Sequence, residues 1–161
     1  MKFSTKEDLE IPIDDAFSML SDFDGFERAI LRRGADVART DKMDHVGVGM
    51  SWKARATVRG KKRDFDAKLV EYDRPNQMLF EVKTKNMAST FLVELVPLSR
   101  ARTRMRIELD VKPQTLSARL LMQSAKLARN TLNRRYKTRI AHFASDLEER
   151  HKKGMRTAGV S

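Results

Sequence analysis

Apolar and polar positions alternate from the first residues of the chain. Phe3, Thr5, Leu9 and Ile11 fall on one side, and Lys2, Ser4, Lys6, Asp8 and Glu10 on the other. A repeat of two marks a half-buried strand. Glu7 interrupts the apolar side. Pro12 ends the strand, and Asp14 is placed to cap a helix whose inner face carries Ala16, Phe17 and Leu20. The Asp-Gly pair in "SDFDGF" predicts a break. Phe26, Ile30 and Leu31 then mark a second short helix, stopped by Gly34.

Period two returns between Ala35 and Lys112. Trp52, Ala54 and Ala56 alternate with Lys53, Arg55 and Thr57, and a glycine turn in "RGKKR" leads to Phe65, Ala67 and Leu69. "YDRPNQ" turns the chain again, towards Met78, Phe80 and Val82, and Phe91, Val93 and Leu95 follow. In the last strand Thr103, Met105, Ile107, Leu109 and Val111 oppose Arg102, Arg104, Arg106, Glu108, Asp110 and Lys112. The hairpin spacing predicts about six strands here, an antiparallel meander with one wet face.

After Pro113 the period changes to about 3.6. Leu121, Ala125, Ala128, Leu132, Tyr136, Phe143 and Leu147 share a stripe flanked by Ile140, and Gln114 to His151 contains neither Gly nor Pro. One helix of about 35 residues, roughly 50 Å long, is predicted. The segment 151–161, "HKKGMRTAGVS", has no period and is expected to be a disordered basic tail. The resulting fold class is α+β: a curved antiparallel sheet of about seven strands wrapped on a long C-terminal helix, with two short helices after the first strand. A helix about 10–12 Å wide is narrower than such a sheet. Bulky side chains, the short helices or a ligand must cover the rest of the dry face.

The inward positions are the expected ligand-binding set: Trp52, Ala54, Ala56, Phe65, Ala67, Leu69, Met78, Phe80, Phe91, Val93, Met105, Ile107 and, from the helix, Tyr136. Ala54, Ala56 and Ala67 are small where a filled core would want bulk. Nine methionines suit varied apolar partners. The plainer alternative is that Trp52 and the phenylalanines fill the space beside the alanines.

Composition narrows the chemistry. The length of 161 residues suits one domain, placed at residues 1–150. Cysteine is absent, which removes disulfides, thiolate metal sites and a cysteine nucleophile. The charged N-terminus lacks a signal-peptide stretch and no apolar run approaches a membrane span. A cytoplasmic protein is expected. His45, His142 and His151 are dispersed, and neither a P-loop nor a G-x-G-x-x-G opens a helix. No metal and no cofactor is expected. Glu7 and Tyr136, polar residues at apolar positions, are the candidates for acid–base work or ligand orientation.

Charge is uneven. Of 33 basic and 22 acidic residues, residues 114–161 hold 11 basic and 3 acidic. Arg129, Arg134, Arg135 and Arg139 form the expected basic surface, with Arg119, Lys126 and Lys137 on the same helix and Arg102, Arg104 and Arg106 on the sheet. Such groups suit an anionic membrane or the phosphates of a nucleic acid. A solvated helix face is the plainer reading. The aromatics lie at inward positions, which argues against base stacking.

Two passages carry a family likeness: "LEIPIDDAFSMLSD", residues 9–22, and "LVEYDRPNQMLFEV", residues 69–82. With the element order they resemble the START-like (SRPBCC) superfamily, and within it the polyketide cyclase/dehydrase-type proteins. The customary Ala-Pro of the first passage stands here as Ile11-Pro12. The resemblance spans residues 1–150. It implies a helix-grip fold with a cavity for a hydrophobic small molecule (a lipid, quinone or polyketide-like ring). It implies either binding and transport or a cyclase/dehydratase activity. The family motifs are structural, so no catalytic set is carried over.

Overall fold

The computed structural model describes residues 1–159. Strand β1 (Lys2–Leu9) is followed by α1 (Ile13–Leu20) and α2 (Phe23–Arg32). Six strands come next: β2 (Asp36–Arg39), β3 (Ser51–Val58), β4 (Lys61–Asp73), β5 (Gln77–Lys83), β6 (Met87–Pro97) and β7 (Thr103–Pro113). Helices α3 (Leu116–Leu127) and α4 (Arg129–Gly159) close the chain. All seven strands form one antiparallel sheet in the order β1-β7-β6-β5-β4-β3-β2. Sequential hairpins build β2 to β7, and β1 pairs with β7 to complete the sheet. The expected helix-grip architecture is present.

Each helix covers a different part of the inner face. α4 packs along β1, α3 against β7, α1 against β6 and α2 against β2. The core is continuous at the end of the sheet served by α1. There Leu9, Ile11, Phe17, Leu69, Met78, Met105, Ile107 and Leu147 are almost wholly buried. Thr103, the buried polar residue, donates its hydroxyl to the Ile11 carbonyl at 2.7 Å. That bond removes the cost of burying the group.

Local details depart from the sequence reading. Asp14 is not the cap of α1: Pro12 occupies that position without a side-chain bond, and Asp14 and Asp15 sit in the first turn. Their charge favours the positive end of the helix dipole. Gly25 lies inside α2 and not in a turn. The Asp22 side chain caps α2 by accepting from the Gly25 N–H at 3.2 Å. A Cβ at Gly25 would collide with that carboxylate. A bulge between Leu69 and Glu71 breaks the pairing of β4 with β5. One added residue shifts the alternation, so Leu69 and Tyr72 both face the core.

The single long helix is in fact two. α3 ends at Ala128, whose N–H donates to the Ala125 carbonyl, and α4 starts at once. The break resets the helical phase. Ala118 and Met122 are the buried residues of α3, while Leu121, expected inside, is exposed. The segment 151–159, expected to be disordered, continues α4. His151 pins it to α1 through Asp15 at 3.1 Å. Val160 and Ser161, the rest of that expected tail, lie outside the described residues.

Candidate functional site

The inner layer is contiguous across the sheet. Trp52 lies opposite Ala67, Ala54 opposite Phe65, and Leu69 opposite Phe80. Phe80 then faces Phe91, and Val93 faces Ile107. All twelve strand residues expected to bind ligand therefore belong to one surface. They do not share one environment. Trp52, Leu69, Met78, Val93, Met105 and Ile107 are buried in the solid core. Ala54, Ala56 and Phe65 are only half-buried, and so is Val82 beside them. None of these four packs against the core cluster, whereas Ala67, Phe80 and Phe91 do.

Strand lengths explain the difference. The last β4–β5 pair is Asp66–Lys83, yet β4 begins at Lys61. The β3–β4 hairpin thus projects past the end of β5 and carries Ala54, Ala56 and Phe65 with it. Its tip is the two-residue turn Arg59–Gly60, both with positive φ. That is the turn type whose twist suits a tight hairpin. With Val82, these three residues leave an open, apolar trough on the inner face at this end. Inward, the trough meets an aromatic cluster: Phe23, Trp52, Phe80 and Phe91, with successive ring centroids 5.4 to 6.3 Å apart. Phe26 of α2 and Phe143 of α4 approach to 6.2 Å and bridge the two helices over the sheet.

Two polar groups meet the aromatic cluster, and neither stood out in the sequence. Glu27 of α2 accepts from the Trp52 indole N–H at 2.7 Å. Arg39 of β2 lies 5.7 Å from the Trp52 ring centre. Arg39 is fixed by Asp41, whose carboxylate also accepts from the Ser51 and Met43 backbone N–H groups. The guanidinium, then the Ser51 N–H, hold the Asp41 carboxyl well below the usual carboxylate range. Removing the acceptor by Glu27→Ala should leave a buried indole N–H unpaired. The expected cost is about 1–3 kcal/mol, with Glu27→Gln milder. Trp52 is the only tryptophan, so its fluorescence during urea unfolding reads both the stability and the local change. Equal midpoints for Glu27→Ala and wild type would contradict this role.

Tyr136, the helical candidate, sits where expected but its hydroxyl is engaged. It donates to the Ile107 carbonyl at 2.5 Å, and its ring lies 5.6 Å from Phe3. Burial, then the charge of Glu108, push its phenol up to about 12. A phenol so held is a poor base at neutral pH. Below pH 10 it is neutral in folded and unfolded chains alike. Between pH 10 and about 12 only the unfolded chain loses the proton, so the group's contribution to stability falls as pH rises through that window. Tyr136→Phe should cost about 1 kcal/mol at neutral pH and flatten that decline. Identical pH slopes in wild type and variant would contradict the assignment. Glu7 faces inward opposite Met105, half-buried, and its side chain makes no hydrogen bond or ion pair among the described residues.

The two basic groups separate. On the sheet, Arg104 pairs with Asp8 at 2.8 Å, Arg102 with Glu10 at 2.9 Å, and Arg106 with Glu94 and Glu108. Their charge is balanced in place, so they are not the free phosphate-binding row the sequence suggested. Arg129, Arg134, Arg135 and Arg139 are exposed and form no ion pair among the described residues.

Two further depressions, each of about 240 Å³, lie away from α4. One is formed by the α1–α2 junction and the 43–46 loop, including Asp22, Phe23, Arg39 and His45. The other lies against β3–β5, with Asp66, Lys68, Glu81 and Lys83. Among the described residues no cluster of three His, Asp or Glu side chains is arranged to hold a metal. No helix among them is long and apolar enough to cross a membrane.

Comparison with known proteins agrees with this architecture. Among curated proteins none matches the chain in sequence. Similar solved structures include the Zhui aromatase/cyclase from Streptomyces sp. R1128, at 13% identity and a TM-score of 0.67, covering 99% of this chain and 98% of that one. A Thermus thermophilus protein, TTHA0849, shares 15% identity at a TM-score of 0.65, covering 93% and 96%. A START superfamily protein from Mycobacterium smegmatis shares 13% at 0.55, covering 85% and 97%. At these identities the likeness is one of fold. The family model described as polyketide cyclase / dehydrase and lipid transport matches residues 1–148. The chain belongs to that family.

Proposed function

We propose that this protein binds, and passes on, a hydrophobic small molecule of the lipid, quinone or polyketide-like class, held on the inner face of the sheet. One observation carries the reading. Ala54, Ala56, Phe65 and Val82 form an apolar surface that faces inward yet lies outside the packed core. Leaving apolar area wet costs about 25 cal/mol per Å², and a bound apolar molecule would recover that energy. The aromatic cluster supplies a floor for a ring or chain. Glu27 and Arg39 supply polar groups at its margin, as ligand sites commonly do. The family's description, which joins cyclases with lipid transport, supports the same class of ligand.

Binding is favoured over catalysis by the state of the candidate residues. The Tyr136 hydroxyl is committed to a backbone carbonyl, which leaves Glu7 as the free inward carboxylate. Native mass spectrometry of the purified protein, followed by organic extraction, identifies any apolar molecule carried at one per chain. Incubation with that molecule then distinguishes the two activities. A carrier returns it unaltered. A cyclase or dehydratase returns a product, and Glu7→Gln should slow its formation. A protein that takes up no fatty acid, quinone or aromatic polyketide at saturation would refute the binding reading.

A further inference from the structure

A surface distinct from the trough has its own chemistry. Leu116, Leu120 and Leu127 of α3 are 73%, 58% and 93% exposed. At about 100° per residue these three lie within roughly 40° of one another on the helix. They point directly away from Ala118 and Met122, the residues α3 buries. A helix lying on a protein normally turns polar residues to that side. Here the wet side carries three leucines along with Gln123, and Arg119 and Lys126 flank them along one edge. Arg129 follows at the start of α4. No acidic residue occurs from Gln114 to Ser145, and the basic side chains of this stretch form no ion pair among the described residues.

We propose that the outward face of α3 docks on an anionic lipid bilayer. The leucines would enter the acyl boundary while Arg119, Lys126 and Arg129 meet lipid phosphates, the division of labour of an interfacial helix. Charge complementarity selects this occupant. A second copy of the chain would bring two surfaces of the same sign together. A nucleic acid would satisfy the cations and leave the leucines in water. The inference is independent of the trough. The two connect in space, since α3 follows β7 directly at the open end of the sheet. A docked α3 would bring that end to the lipid.

Co-sedimentation with phosphatidylcholine vesicles, with and without phosphatidylglycerol, tests the proposal on the full chain. Wild type should bind the anionic vesicles, with little retention on phosphatidylcholine alone. Each change of Leu116, Leu120 or Leu127 to Ser should weaken partition by about tenfold, and Arg119→Glu or Lys126→Glu by at least about fivefold. These side chains are exposed, so circular dichroism should show unchanged folding. Retention of full binding by the leucine variants would overturn the proposal in favour of plain phosphate attraction. So would failure of wild type to bind anionic vesicles, or vesicle-free self-association that the leucine changes abolish.

Discussion

Ala54→Trp should reduce affinity for a long-chain or ring-shaped apolar ligand at least tenfold while leaving the fold intact. Ala54 faces inward on the projecting part of β3, opposite Phe65, and is half-exposed. An indole there would occupy the trough beside Phe65. It would not have to displace the core, because Ala54 lies outside the core cluster. The loss combines excluded volume with apolar contact that the ligand no longer makes, and about 1.4 kcal/mol suffices for a factor of ten. Titration with an environment-sensitive apolar dye reads the affinity, and urea unfolding checks the fold. Phe65→Ser tests the same surface by removing contact instead of space, and should weaken binding in the same direction. A dye bound equally by wild type and both variants would place the ligand elsewhere.

Phe17→Ala should destabilise the protein by about 3–5 kcal/mol. Phe17 is fully buried on α1, the helix that packs on β6. Its ring meets Tyr72 edge-on at 5.3 Å, and the Arg74 guanidinium lies 5.2 Å from it. Truncation removes the ring's burial, the aromatic pair and the cation's partner, and leaves a cavity that a sheet backbone cannot collapse to fill. Typical domains hold only about 5–15 kcal/mol in total, so the variant should unfold at a markedly lower urea concentration. A loss under about 1 kcal/mol would mean that α1 is not part of the cooperative core. Ligand affinity, measured in the folded variant, should change far less than in Ala54→Trp, because Phe17 belongs to the filled end of the sheet.

The sheet and its inner layer were legible because strand alternation is a local property. Two residues are enough to state which side a third will take. Trp52, Leu69, Met78, Phe80, Phe91, Val93, Met105 and Ile107 all share the surface that alternation assigned them. What alternation does not carry is how far each strand outruns its neighbour. The half-exposed state of Ala54, Ala56 and Phe65 comes from β4 starting five residues before its pairing with β5 begins. That is a non-local fact. The break at Ala128 was hidden for a different reason. No Gly or Pro marks it, and it follows from two helices seeking different strands, β7 and β1. The segment 151–159 was misread because its residues bury no apolar stripe: positions 152–157 are all exposed, yet α4 continues through them.

Partners in space were equally invisible. Glu27 and Trp52 are 25 residues apart, Asp8 and Arg104 are 96 apart. Alternation sent Arg102, Arg104 and Arg106 outward correctly, and Glu108 lies two residues from Arg106 on the same strand, but only the approach of β1 and β6 to β7 brings them Asp8, Glu10 and Glu94. The basic residues of α3 and the first half of α4 have no such neighbours, because their strip of sequence contains none and their outer faces meet no other element. Free charge and balanced charge look alike in a sequence. They separate once the sheet order is known.

Photolabelling with a diazirine-bearing fatty acid and a diazirine-bearing quinone, mapped by peptide mass spectrometry, asks directly where an apolar molecule sits. Saturable label should fall on peptides containing Ala54, Phe65 and Phe91, with competition by the unlabelled molecule and loss in Ala54→Trp. Label confined to the depression around Phe23, Met43 and Met50, or no saturable label at all, would contradict an inner-face binding site.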